Sequence, residues 1–309
     1  MITRSSKTWW FLALASLVLA SPTPAAGPVP RLEHVVVIVL ENKGYDQVRS
    51  APYIASLVDR GSSFTDYHGI THPSQPNYLA LWAGSTLSVR NNACPAPGAP
   101  FGVENLGHAC ESAGMGWRAY AEDLPAPGAP VCKAAGYARK HAPWTNFANL
   151  DHGNERPFSD FAEDVAAGRL PALAFVVPNI CNDGHSCSMS VADAWLAAHV
   201  PAMLEAVGAN GVVVLTFDED DGGPTNRVLT VAVGPPVKRG YVSAHAASHY
   251  TLLRTVCEAL GLPAFGAAKA EEPIADIWTR GPKEPGGSPT PLPGTAPAPT
   301  SSRAPGRRP

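Results

Sequence analysis

Three apolar runs in this chain empty directly into polar clusters. Residues 34–40 (HVVVIVL) are followed by Glu41 and Asn42, and residues 211–217 (GVVVLTF) by Asp218, Glu219, Asp220 and Asp221. Residues 173–177 (LAFVV) lead through Pro178 to Asn182, Asp183, Gly184 and His185. Carboxylates gathered at one place repel one another, and removing them from water is costly unless cations neutralise them. A divalent metal ion accounts for the clusters together. Oxygen ligands suit Mg²⁺, Ca²⁺ or Mn²⁺, whereas His185 or His249 would admit Zn²⁺ or Fe. Taken singly, each cluster also reads as a polar turn, since Asp-Gly at 183–184 and at 221–222 is a common turn pair.

A nucleophile candidate lies in residues 69–81, GITHPSQPNYLAL. Pro76 suits the first turn of a helix, where its missing N–H costs nothing. That puts Ser74 just ahead of the helix, with the helix amides and dipole directed at an incoming anion. Metal nearby would lower the hydroxyl's pKa and free an alkoxide to attack phosphorus. The competing reading is an N-cap serine, the commonest use of Ser at such a place; the neighbouring acidic clusters favour the nucleophile.

These side chains need a scaffold that brings strand ends together. Residues 34–40, 173–177, 211–217 and 228–233 are continuous apolar, β-branched runs, as expected of strands covered on both faces. Helical patterns at 53–60, 77–83, 191–207 and 249–260 fall between them. The alternation predicts an α/β sandwich: a mostly parallel central sheet with helices on both faces and ligands beyond the carboxyl ends of its strands. Residues 91–135, rich in Gly, Pro and Ala and carrying three cysteines, read as a disulfide-stapled insertion on the rim of the site.

The ends of the chain have other tasks. Arg4 and Lys7, an apolar run over 9–20 and small residues to Ala26 describe a secretory signal peptide over 1–26. Residues 281–309 hold nine prolines and one large apolar residue, Leu292, too little to form a core, so they read as a disordered tail. The catalytic domain is then 27–280, and the mature protein is expected outside the cytoplasmic membrane (extracellular or periplasmic) without stable membrane insertion. Six cysteines behind a signal peptide predict three disulfides, with Cys181–Cys187 the one pairing that sequence proximity suggests. A net charge of −3 gives no sign of nucleic-acid binding.

The motifs in order resemble the bacterial phosphoesterase family that includes secreted acid phosphatases, phosphatidylinositol-3-phosphatases and phospholipases C, a branch of the alkaline phosphatase superfamily. The resemblance rests on Glu41-Asn42 with Tyr45, THPSQPNYLAL at 71–81, NDGH at 182–185, TFDEDDGG at 216–223 and HYTLLRTVCEALGLP at 249–263. It implies an alkaline phosphatase-like fold and a phosphate-ester substrate, including phosphorylated lipids. It implies that Ser74 takes the phosphoryl group and touches a metal. Glu41, Asn42, Asp218 and Glu219 are similar to the ligands of a first metal site, and Asp183, His185 and His249 to those of a second. His249 also opens a helix, which leaves a capping or phosphate-binding role open. His72 is placed to protonate the leaving group, or to serve as a structural histidine before a proline.

One departure is Lys43, which stands where many relatives carry His after Glu-Asn; a lysine cannot shuttle protons near neutral pH without a large shift. The expected activity is a metal-dependent phosphomonoesterase, an acid phosphatase, working through a phosphoserine. Its rivals are a phospholipase C-type phosphodiesterase and a secreted protein that binds phosphate ligands without turnover.

Overall fold

The computed structural model describes residues 28–279; the signal-peptide and tail expectations lie outside them. An eight-stranded sheet forms the centre, built from β1 (His34–Leu40), β2 (Ser62–Phe64), β3 (Trp117–Ala121), β4 (Glu155–Pro157), β5 (Leu173–Val177), β6 (Gly211–Phe217), β7 (Thr230–Val233) and β8 (Tyr241–Ser243). The order across it is β8-β2-β7-β6-β1-β5-β3-β4. Every pairing is parallel except those of β7, which runs antiparallel to both β6 and β2. The expected α/β architecture with a mostly parallel sheet is therefore found.

β1 lies between β6 and β5, and apart from His34 its side chains are buried on both faces. That is why the run carries no polar alternation. Helices α1 (Pro52–Arg60) and α5 (Met189–Ala206) pack on each other, as do α2 (Ser74–Ala83) and α6 (His249–Leu260). All ten residues of α2 are buried, so this helix is enclosed in protein rather than laid on the surface. Trp82 on α2 meets Trp117, Trp144 and Phe175 at ring-centroid distances of 5.3, 5.8 and 5.8 Å. That aromatic knot fixes the helix against β3 and β5.

Residues 91–135 are only in part an insertion. They contain α3 (Leu106–Ser112) and strand β3, which sits inside the main sheet between β5 and β4. The cysteines also differ from expectation. Cys94–Cys132 and Cys181–Cys187 are disulfides, but Cys110 and Cys257 are buried thiols. Each serves as a small apolar core residue on its helix, and burial pushes both thiol pKa values up to about 12. Among the described residues, no helix is long and apolar enough to cross a membrane.

Candidate active site

Because β1, β5 and β6 are parallel neighbours, their carboxyl ends share one edge of the sheet. The polar residues that follow are tied together by main chain. Glu41 N donates to Asp183 O at 2.9 Å, Asp218 N to Leu40 O at 3.0 Å, and Lys43 N to Glu219 O at 3.2 Å. Asn42 takes a left-handed φ of 51°, a conformation Asn tolerates better than most residues. Its N–H then donates to Asp218 Oδ1 at 3.2 Å, and its side-chain amide donates to Glu41 Oε2 at 3.2 Å.

Ser74 is the first residue of α2 rather than the residue before it. The loop ahead of it is locked by Asn77, whose Oδ1 accepts from Ile70 N and Thr71 N at 2.8 and 3.0 Å. Asn226 bridges this loop to the acidic one: its Nδ2 donates to Thr71 O and its Oδ1 accepts from Asp220 N. Gly69 must be glycine here, as a Cβ would lie 2.7 Å from both Asp218 O and Asn226 Nδ2. The outcome is a buried hydroxyl, Ser74 Oγ, that donates towards Glu41 Oε2 at 3.0 Å and Glu219 Oε1 at 3.1 Å.

Glu41, Asp218 and Glu219 are all buried and present carboxylate oxygens within 4.8 Å of one another. Burial first, and then the charges of Glu41 and Glu219, push Asp218 well above the usual carboxylate range. Burial also raises Glu219, against the opposing pull of His72. Glu41 behaves differently. Burial alone would raise it, but His141 and Lys140 beside it outweigh that and hold it at about 2.

His141 is the residue that the sequence reading missed. It closes a single helical turn, Arg139–His141, and lies fully enclosed between two carboxylates. Its Nε2 is 2.9 Å from Glu41 Oε1 and its Nδ1 is 3.2 Å from Asp183 Oδ2. Burial disfavours the imidazolium, yet the two carboxylates raise its pKa to about 8. Neither contact is aligned as a hydrogen bond, so Glu41 Oε1, Asp183 Oδ2 and His141 are held by ion pairing alone, while Asp218 Oδ2 is buried with neither a hydrogen-bond nor an ion-pair partner. Buried polar atoms are normally satisfied, and an orphaned oxygen among three buried carboxylates marks a place kept for a cation. The donor set, hard carboxylate oxygens around a hydroxyl, fits a divalent cation.

The other predicted residues fall into two groups. His72 joins the centre: its Nδ1 is 2.6 Å from Glu219 Oε2, its Nε2 is 3.5 Å from Asp220 Oδ1, and its ring is 39% exposed at the mouth. Asp183 joins through His141, with its pKa raised by burial above all. His185 does not join. It is exposed, with Nε2 3.0 Å from Lys140 Nζ and Nδ1 3.1 Å from Ser186 Oγ. His249 is buried but has both ring nitrogens engaged, at 3.0 Å from Tyr67 Oη and 2.5 Å from the Asp218 carbonyl. It braces the acidic loop and has no nitrogen free for a metal; burial lowers its pKa to about 4, so the ring is neutral. The second metal-ligand set expected from the resemblance is therefore not assembled. Lys43 donates to the carbonyls of Asn42 and Gly184 at 3.0 and 2.9 Å, a loop anchor rather than a phosphate contact.

The sequence pattern of the phosphoesterase family matches residues 47–263. A phosphatidylinositol-3-phosphatase from Mycobacterium tuberculosis is 42% identical over 86% of this chain and 90% of that protein. A probable acid phosphatase from Kluyveromyces lactis is 30% identical over 78% of this chain, which spans 61% of the fungal protein's length. In fold, the chain is similar to a protein of the alkaline phosphatase superfamily from Vibrio parahaemolyticus, with a TM-score of 0.59, 11% identity and coverage of 84% and 76% of the two chains. Murine ectonucleotide pyrophosphatase/phosphodiesterase 5 superposes with a TM-score of 0.53 at 11% identity, over 80% of this chain and 100% of that one. With a serine set among carboxylates at the edge of an alkaline phosphatase-like sheet, the chain belongs to the phosphoesterase family and is a phosphoric-ester hydrolase.

Proposed function

We propose that the chain is a secreted, metal-dependent phosphomonoesterase of the acid phosphatase type that attacks its substrate with Ser74. The observation that carries this reading is the position of Ser74 Oγ, buried at a helix start and within 3.1 Å of both Glu41 and Glu219. Glu41, Asp218 and Glu219 would hold a divalent ion, with Asn42 orienting two of them. Bound there, the ion supplies positive charge for the phosphoryl oxygens and lowers the pKa of the serine hydroxyl.

The chain's own groups handle the proton. Ser74 donates to Glu219 Oε1, and the second oxygen of that carboxylate meets His72 Nδ1 at 2.6 Å. A proton leaving the nucleophile thus has a path to a ring at the mouth, where the leaving alcohol needs one. Attack in line forms a phosphoserine on Ser74 and releases the alcohol; water then hydrolyses the phosphoserine by the same route in reverse. His141, its pKa raised to about 8 by Glu41 and Asp183 in the metal-free chain, adds positive charge beside Glu41.

Phosphorylated lipid is a substrate candidate because a relative of 42% identity is named a phosphatidylinositol-3-phosphatase. Secretion is supported by the N-terminal pattern and by two disulfides, which persist in oxidising surroundings. The test is an activity panel on chelator-dialysed protein with Mg²⁺, Ca²⁺, Mn²⁺ and Zn²⁺ restored in turn, using an aryl phosphate and its methyl aryl diester. Metal-restored activity favouring the monoester is expected. Full activity in metal-free protein overturns the metal reading, and a diester better by tenfold or more replaces the monoesterase with a phosphodiesterase.

A further inference from the structure

Tyr78 lies one turn after Ser74 in α2 and is completely buried. Its ring stacks on His141, with centroids 5.1 Å apart and planes 15° from parallel. Its hydroxyl has no hydrogen-bond partner. Two other fully buried tyrosines show the contrast: Tyr67 Oη meets His249 Nδ1 at 3.0 Å, and Tyr120 Oη donates to Asp164 at 2.8 Å. Leaving a buried hydroxyl unsatisfied destabilises the fold, and phenylalanine would fill the same space without that cost. His141, on which the ring stacks, holds its Nε2 2.9 Å from Glu41 Oε1, a buried acceptor that likewise has no hydrogen-bond partner.

We propose that Tyr78 is a positioning residue of this centre: its ring holds the His141 imidazole between Glu41 and Asp183, and its hydroxyl, unpartnered in the metal-free chain, donates to Glu41 once that carboxylate turns to a cation. The inference rests on the metal-dependent reading above and extends it to a residue one layer out. Groups that hold a metal ligand by hydrogen bonding typically account for 10–100-fold in metal affinity. The ring and the hydroxyl have separable tasks, because Tyr78→Phe removes only the second whereas Tyr78→Leu removes both.

The experiment titrates Mn²⁺ into metal-free wild-type, Tyr78→Phe and Tyr78→Leu proteins by calorimetry without substrate. Thermal melts of the metal-free forms, and kcat and KM on an aryl phosphate at saturating Mn²⁺, complete the set. Tyr78→Phe should bind Mn²⁺ about 10–100-fold more weakly, melt no lower than wild type when metal-free, and recover its kcat at saturating Mn²⁺. Tyr78→Leu should keep a reduced kcat even at saturation, because His141 is no longer held. Wild-type affinity in Tyr78→Phe overturns the inference alone, as does a lower melting temperature with unchanged affinity, which means packing only. A wild-type protein that takes up no Mn²⁺, Mg²⁺, Ca²⁺ or Zn²⁺ overturns the metal-dependent reading and the inference with it.

Discussion

Two buried aspartates in this molecule have opposite surroundings. Asp164, on α4 (Asp160–Ala166), is ion-paired with Arg118 and Arg169 and accepts from Tyr120 Oη. Burial would raise its pKa, but the Tyr120 hydroxyl and the two guanidiniums hold it below the ordinary value. Asp218 is buried just as deeply, has two acidic neighbours, leaves one oxygen without a partner and is pushed far upward. One carboxylate is completed by the fold, while the other is placed where the fold offers it no cation. That difference separates a structural charge from one kept for a ligand.

Substituting the two aspartates should have opposite effects. Asp218→Asn preserves shape and can still accept from Asn42 N–H, but it removes a ligand charge. Activity should fall about a thousandfold or more, several kcal/mol of transition-state stabilisation, while the metal-free protein melts higher because the cost of burying an unpaired carboxyl is gone. Kinetics at saturating metal, together with melts of the metal-free form, check both halves. Asp164→Ala should do the reverse. It strands Arg118 and the Tyr120 hydroxyl and should cost about 2–3 kcal/mol, below the loss for a fully enclosed pair because both arginines reach solvent. Denaturant titration measures that loss, and kcat of the folded protein should not change.

Acidity sharpens the same contrast. His141 has a folded pKa of about 8, above its unfolded value near 6.5. Its stabilisation is therefore complete below pH 6.5 and is lost as pH rises through 8. In metal-free protein this should appear as a decline in stability of about 2 kcal/mol across that window, reduced in His141→Asn. Asp164, with its pKa lowered, stabilises above its ordinary value near 3.8 and loses that contribution only in more acidic solution. Melts in overlapping buffers separate the two. Thiol titration of denatured, unreduced protein should show two reactive groups, Cys110 and Cys257, rather than the none that three disulfides would leave.

What the sequence could and could not reveal follows from where each signal sits. β1, β5 and β6 were legible to the residue because strands buried on both faces carry unbroken apolar runs, and Glu41 and Asp218 were legible because they interrupt those runs abruptly. β3 was obscured, since Arg118 breaks its apolar pattern and the residues before it are rich in Gly, Pro and Ala. His141 had no local mark: it follows two basic residues in an irregular stretch and meets Glu41 only in the tertiary fold, where its ring stacks on Tyr78. His249 was found as the start of α6, but its partners, Tyr67 and the Asp218 carbonyl, are distant in sequence. Local pattern thus reported the strand ends, and tertiary packing decided which side chains meet there.

Catalysis through Ser74 requires that its Oγ carry the phosphoryl group. The most direct measurement quenches the enzyme in acid while it turns over an aryl phosphate and maps phosphate on the digested peptides. A phosphoryl group is expected on Ser74 in the wild type and none in Ser74→Ala, with a loss of activity in that variant of about a thousandfold or more at nearly unchanged melting temperature. A Ser74→Ala enzyme that keeps more than about a tenth of wild-type turnover, about 1.4 kcal/mol or less of lost stabilisation, would contradict catalysis through Ser74.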